Sequence, residues 1–296
     1  MVNPKTKPSD IASAVKKRYI PHLESNFSSY LQGSIVITDT SSMQVNPNSK
    51  LPNGRPRVTV EPYDPVDCAI HLKDWYSKYH QDPARPVAVV NTANEKRPGG
   101  DWESSIIAPE ECFARRSSLV HALTTPYDRI FGAASKNYPI PQTGGVYSNS
   151  VVVFRGGGED YEVWPEDRYR TLQVISVAPI RGPRIDASTT DYSFPEERQL
   201  TEAKMMAILR IAAYYRIKDI CISAFGVGPI FRNPAKVTAE MWRRLLFYEE
   251  EFKGVFENVI FGIDTSPGSS YKTTEADAEI FRHVFDPNQL FPTSYR

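Results

Sequence analysis

The chain of 296 residues is short of several things, and each shortage excludes a class of protein. It has only three cysteines, Cys68, Cys112 and Cys221, scattered and odd in number. That is neither a disulfide framework nor a paired-cysteine metal site. Its five histidines (His22, His71, His80, His121 and His283) are dispersed and offer no ligand cluster. It has no excess of charge of either sign: 35 Lys+Arg stand against 35 Asp+Glu, which removes the whole-molecule electrostatic argument for a nucleic-acid partner. No apolar run approaches the roughly 18 residues of a membrane span, so no membrane partner is expected. The first residues, MVNPKTKPSD, lack the apolar stretch of a secretory signal, and the expectation is an intracellular protein, cytoplasmic or nuclear. No motif of type GxxxxGK[ST] occurs, which excludes a P-loop nucleotidase. No fixed-period repeat is present.

What is present is globular: 41% apolar and 24% charged residues, with length enough for one large domain or two small ones. Residues 9–30 have apolar positions at near-helical spacing (Ile11, Ala14, Val15, Tyr19, Ile20), and 34–38 is a short apolar stretch. Residues 40–57 are rich in Pro, Asn and Ser and read as a loop. From residue 58 onward, short apolar strands alternate with amphipathic helices. Strands are expected at 58–61, 87–91, 172–178, 219–225 and 258–263. Helices are expected at 65–80, 109–123, 193–215, 234–252 and 275–285. Residues 151–154 and 161–164 flank RGGGED, the tip of a hairpin. The pattern predicts a three-layer α/β/α domain with a mixed central sheet over 58–296, preceded by an N-terminal helical extension and loop over 1–57. Ligands of such sheets bind beyond the carboxyl ends of the strands.

Two segments lie at such ends. The first runs VAVVNTANEKRPGGDWESSIIAPEECFARR from residue 87. A buried strand ends at Asn91, Asn94 follows, and Pro98-Gly99-Gly100 allows a backbone that other residues avoid. Glu110 and Glu111 then open a helix behind Pro109. The helix dipole favours charge on such carboxylates, whereas repulsion and burial favour keeping one protonated. A pair so divided can donate a proton to a leaving oxygen and then withdraw one from water. Acidic residues in a first turn are also ordinary complements of the dipole. The second segment, ICISAFGVGPIFRN, runs from residue 220 into a helix at 234. Strand, glycine loop and helix together present backbone N–H groups to a phosphate, and Phe225 and Phe231 offer faces for a ribose or base. The same loop also reads as a close-packed helix entry.

Taken together, in order and context, the segments resemble the catalytic domain of the bacterial and fungal poly(ADP-ribose) glycohydrolases, members of the macrodomain superfamily. Family members carry N-x-A-N, then P-G-G-G, then Q-E-E. Here Asn91-Thr92-Ala93-Asn94, Pro98-Gly99-Gly100-Asp101 and Pro109-Glu110-Glu111 stand in those places. The second loop, G-x-G-x-F-x-N in the family, resembles Gly226-Val227-Gly228-Pro229-Ile230-Phe231-Arg232-Asn233 with one residue inserted. The resemblance spans about residues 58–264.

It implies an ADP-ribosyl glycohydrolase, a hydrolase acting on mono- or poly-ADP-ribose attached to protein or another acceptor, through an oxocarbenium-like transition state. Glu111 would be the acid and then the base, and Glu110 would hold the ribose hydroxyls. Asn94, Gly99, Gly100 and Asp101 would surround the distal ribose. Gly226, Val227, Gly228, Ile230, Phe231 and Asn233 would receive the diphosphate, and Asp64 would face the adenine amino group. The implied partners are ADP-ribose, ADP-ribosylated protein or ADP-ribosylated nucleic-acid ends, met by a monomer, and the resemblance calls for no metal or other cofactor. Asp101 in place of the third glycine, and Pro109 in place of Gln, depart from the pattern. Both are expected to narrow the pocket, or to leave a non-catalytic ADP-ribose reader. The Gly156–Gly158 run lacks a following carboxylate pair and is not expected to contribute. A more distant alternative is an α/β enzyme for another nucleotide sugar.

Overall fold

In the computed structural model the described residues are 7–47, 50–52, 54–127, 136–158, 160–188, 190–266 and 273–291. Among them one seven-stranded sheet runs in the order β1 (Ser34–Ile37), β4 (Gly145–Val153), β5 (Arg170–Val177), β3 (Val87–Thr92), β6 (Asp219–Ile222), β7 (Asn258–Gly262) and β2 (Arg57–Glu61). The pairs from β5 through β3, β6 and β7 to β2 are parallel, while β4 pairs antiparallel with both β5 and β1. The mixed sheet is as expected. The run at 34–38 is its edge strand, and the single strand β4 begins six residues before the hairpin arm expected at 151–154.

Strand residues alternate between two cores because the side-chain period of a strand is two. In β3, Ala88 and Val90 face one core with α6 (Pro195–Tyr214), α7 (Ala235–Phe247) and α8 (Glu275–Val284). Val87 and Val89 face the other, with α3 (Pro65–Tyr79) and α5 (Leu119–Thr124). Continuous apolar runs such as VAVV are therefore buried on both faces.

The helix expected over 109–123 is two helices, α4 (Pro109–Arg115) and α5. Two serines make the break. Ser117 Oγ donates back to the Phe113 carbonyl at 2.7 Å, and the Ser118 amide leaves the helix to donate to Val152 O at 2.9 Å. Side-chain hydroxyls that compete for the backbone in this way break helices.

The N-terminal helices, α1 (Pro8–Ala14), a π-helical turn (Val15–Tyr19) and α2 (Ile20–Asn26), pack as a third cluster. Ala12, Val15, Tyr19 and Leu23 meet Trp102, Ala114 and Phe154 there. Tyr19 stacks on Phe154 at 4.6 Å. A short α9 (Pro287–Leu290) follows α8.

Candidate active site

The loops after β3, β5, β6 and β7 all leave the carboxyl edge of the parallel strands, and a cleft opens between them. Thr92, Ala108, Pro109, Ser223, Ala224 and Thr273 line both of its halves, so the two form one continuous crevice. One half is bounded by Glu110, Glu111, Asn94 and the 226–231 loop; the other is bounded by Asp64, Asn91, Gly158 and Asp264.

The acidic pair sits against the glycine turn. Glu110, 5% exposed, accepts the Asn94 amide at 2.7 Å through one carboxyl oxygen and the Asn91 side-chain amide at 3.4 Å through the other. Glu111, 8% exposed, accepts the Asp101 amide at 3.0 Å on Oε1. Burial pushes both carboxyl pKa values up, Glu110 well above the usual range, with the neighbouring Glu111 charge adding to its rise. The turn between them is possible only without side chains. Gly99 and Gly100 have φ of 75° and 61°. A Cβ on Gly100 would collide with Glu111 Oε1 and stand 3.1 Å from Glu110 Oε2.

Behind the turn lies Trp102, close enough that a Cβ on Gly99 would meet its ring at 3.1 Å. The buried Arg115 clamps this loop from α4, its Nε donating to Trp102 O at 2.8 Å and a terminal nitrogen to Ser104 O at 2.9 Å. The N-terminal helices close the other side of Trp102. They therefore brace the loop of the glycine turn, a role that the helical spacing of residues 9–30 did not disclose.

The departures from the family pattern look different in three dimensions. Asp101 turns its carboxylate away from the cleft to Arg97, at 2.5 Å and 3.0 Å. It has no positive φ, so this third position of the turn does not require glycine. The expectation that Asp101 crowds the pocket is thus corrected: only its backbone N–H serves the site. Replacing Asp101 with glycine should leave turnover within about threefold, because an exposed ion pair contributes about 1 kcal/mol at most. A steady-state release assay checks this. Pro109 occupies the first position of α4, where a backbone N–H has no helical acceptor, so it costs the helix nothing.

The second loop is held by Asn233. Its side-chain amide donates to Ile180 O at 2.9 Å and Gly226 O at 3.0 Å, and its Oδ1 accepts the Tyr192 hydroxyl at 2.8 Å. Asn233 is 4% exposed and staples the loop from behind, while Gly226, Val227, Ile230 and Phe231 line the cleft. Gly226 and Gly228 have φ of 84° and 102°. A Cβ on Gly226 would stand 2.7 Å from the Asn233 amide nitrogen. Gly228 stands outside the cleft lining. Phe225 is fully buried against Trp242 and offers no face to a ligand, contrary to expectation. Tyr147 and Tyr192 are likewise buried.

Asp64 lines the far half of the cleft but is heavily engaged. It caps α3 by accepting the Val66 and Asp67 amides at 2.7 Å and 3.0 Å, and its second oxygen takes Arg116 at 2.9 Å. Burial raises its pKa to about 6, with Arg116 pulling down and Asp67 pushing up.

Sequence reasoning missed Arg181. It lines the cleft beside Glu111, its guanidinium 5.4 Å from the centre of the Phe231 ring. The available signal was its place three residues beyond a buried strand. Gly158, set aside as irrelevant, lines the other half because the chain after β4 folds over Arg116 there. Among the described residues no group of three His, Cys, Asp or Glu side chains could hold a metal.

Residues 13–156 match the family model described as microbial-type PARG, catalytic domain. No curated protein sequence matches the chain. In three dimensions it is similar to poly(ADP-ribose) glycohydrolase from Thermomonospora curvata, with TM-score 0.68 and 18% identity over 94% of this chain and 99% of that one. The same enzyme bound to the inhibitor ADP-HPD gives TM-score 0.66 at 18% identity, again over 94% of this chain and 99% of that one. The Deinococcus radiodurans glycohydrolase in complex with ADP-ribose gives TM-score 0.64 at 20% identity, over 89% of this chain and 98% of that one. At these identities the structural likeness speaks for the fold. Over residues 13–156, then, the chain matches the microbial-type PARG catalytic domain, and its fold is similar to that of the bacterial glycohydrolases.

Proposed function

We propose that this protein is an ADP-ribosyl glycohydrolase that cleaves the bond at the anomeric carbon of the distal ribose by acid and then base catalysis at Glu111. The observation that carries this reading is the pairing of two buried carboxylates of raised pKa with a left-handed glycine turn, at one end of a cleft long enough to run from Glu111 to Asp64.

The parts divide the work by their bonds. Glu110 has both oxygens occupied by Asn94 and Asn91, so it holds the 91–100 loop in place and offers what remains of its lone pairs to ribose hydroxyls. Glu111 has one oxygen on the Asp101 amide, which leaves Oε2 for the substrate. Burial keeps its proton available at a pH where an exposed glutamate has lost it. That proton goes to the leaving oxygen as the C1″–O bond breaks. The resulting carboxylate then takes a proton from the water that attacks C1″, and this returns Glu111 to its starting form. The diphosphate fits the 226–231 loop, where Arg181 supplies the positive charge. Replacing Arg181 with glutamine should weaken ADP-ribose binding about tenfold and flatten its dependence on salt, as read by calorimetry.

The competing reading, a reader that binds and does not cleave, rested on Asp101 filling the pocket. Asp101 instead lies on Arg97. Calorimetry with ADP-ribose beside a release assay on ADP-ribosylated protein tests the choice. Binding with release supports the hydrolase, and binding without release would return the protein to the reader class.

A further inference from the structure

Among the described residues three arginines are almost wholly buried: Arg115, Arg116 and Arg155. A buried guanidinium cannot shed its proton, and it is costly to leave without an anion or a ring beside it. Arg116 meets Asp64 at 2.9 Å and also Asp67. Arg155 lies over the Tyr19 ring at 4.5 Å. Arg115, with no exposed surface, has neither. Its bonds go to the Trp102 and Ser104 carbonyls, which are neutral, and its Nη1 has no partner among the described residues. Two carbonyls fix where the side chain lies but leave its charge unbalanced.

Glu111 stands one helical turn away. Residues four apart on a helix share a face, and α4 carries Glu111 and Arg115 at that spacing. No ion pair joins them directly, so the guanidinium acts across buried space, where charges are weakly screened. Burial raises the Glu111 pKa; the Asp101 amide and the Arg115 charge pull it back, and the Asp101 charge adds to the rise.

The other groups around the acid are engaged, neutral or open to water. Burial favours the protonated form of Glu110. Asp101 is paired with Arg97, and Glu103, farther along the same loop, with Lys16 of the π-helical turn. Cys112 and Tyr161, which lie near Arg115, are held by burial as a neutral thiol and phenol. Arg181 is exposed on the cleft wall, where solvent screens it. Charge and clamp also meet in one loop. The 101–104 segment held by Arg115 begins with the amide that donates to Glu111 Oε1 at 3.0 Å.

We infer that Arg115 is the buried counter-charge of Glu111, a positioning residue that fixes the loop against the acid and eases transfer of its proton to the leaving oxygen. The inference rests on the glycohydrolase reading. As the C1″–O bond breaks, the proton passes from Glu111 to the acceptor oxygen, and the carboxylate left behind faces the guanidinium. When the attacking water returns a proton to Glu111, the guanidinium is again without an anion, which drives the acid toward its next transfer.

The test is the pH profile of kcat/KM for wild type, Arg115→Met, Arg115→Gln and Arg115→Lys on ADP-ribosylated protein. Without the cation the carboxylate is less stabilised, so the proton is held to higher pH. The falling limb should therefore move up by about one pH unit in the two neutral variants. Their kcat below the limb should fall about tenfold, because a weaker acid transfers its proton more slowly. Arg115→Lys keeps the charge without the planar fork, and its limb should stay within about 0.3 unit of wild type while its melting temperature drops. Thermal melts and ADP-ribose calorimetry check that each variant is folded. Arg115→Gln, which retains a donor for the Trp102 carbonyl, serves if Arg115→Met does not fold. An unmoved limb in the neutral variants would reduce Arg115 to a clamp and overturn the inference, as would an equal displacement in Arg115→Lys. A wild type that neither binds ADP-ribose nor releases it would overturn the glycohydrolase reading itself, which separates the two failures.

Discussion

Replacing Glu111 with glutamine is expected to reduce turnover by about a thousandfold, within the range that a positioned general acid supplies, while ADP-ribose binds within about threefold of wild type. Glutamine keeps the carbonyl that accepts the Asp101 amide at 3.0 Å, so the turn and the cleft persist. What it removes is the proton. A single-turnover release assay beside calorimetry reads the two quantities separately, and turnover near the wild-type rate would show that another group supplies the acid.

The pH profile carries the same assignment. Burial raises the Glu111 pKa, so the acid form survives above the ordinary value of 4.5 and the rate falls as pH rises through the displaced value. The falling limb of kcat/KM should therefore lie above 4.5 and vanish in the glutamine variant. Stability follows the same sign. The folded state holds these two protons more tightly than the unfolded chain does. The contribution of the pair is thus fully present below pH 4.5 and is lost as pH rises through the raised values.

Gly100→Ala is the second large effect. The added methyl group would collide with Glu111 Oε1 and crowd Glu110 Oε2, and alanine at φ of 61° adds backbone strain of about 1–3 kcal/mol. Activity should fall by about a hundredfold, with a lowered melting temperature. The control is Gly158→Ala, where φ is also positive (78°) but nothing stands within 4 Å of the new Cβ. That variant isolates backbone strain from collision with the carboxylates. If both variants lose activity equally, the geometry assigned to the Gly100 turn is wrong.

The strands and helices around the site were legible because their signals are local. VAVV is apolar throughout since both faces of β3 are covered, and Pro109 with two glutamates marks a helix start whatever the fold. β4 was only half legible: its first residues, 145–150, mix Gly, Tyr, Ser and Asn, and pairing with β1 and β5 makes them a strand. The break between α4 and α5 was hidden for a related reason. Two serines in an otherwise helical run become a break only when Val152 is present to accept the Ser118 amide.

For the site, the sequence by itself determined which residues have the chemistry: two adjacent carboxylates, a glycine turn before them and a glycine loop opening a later helix. Residue type and spacing along the chain fix these. The tertiary structure alone decided where side chains point and what stands behind them. It turned Asp101 onto Arg97, set Asn233 behind its loop, brought Arg181 and Gly158 to the cleft and placed Tyr19 and Leu23 against the Trp102 loop. The Asp101–Arg97 pair is only four positions apart, but the other outcomes depend on contacts between residues tens of positions apart or more, and such contacts leave no periodic trace along the chain.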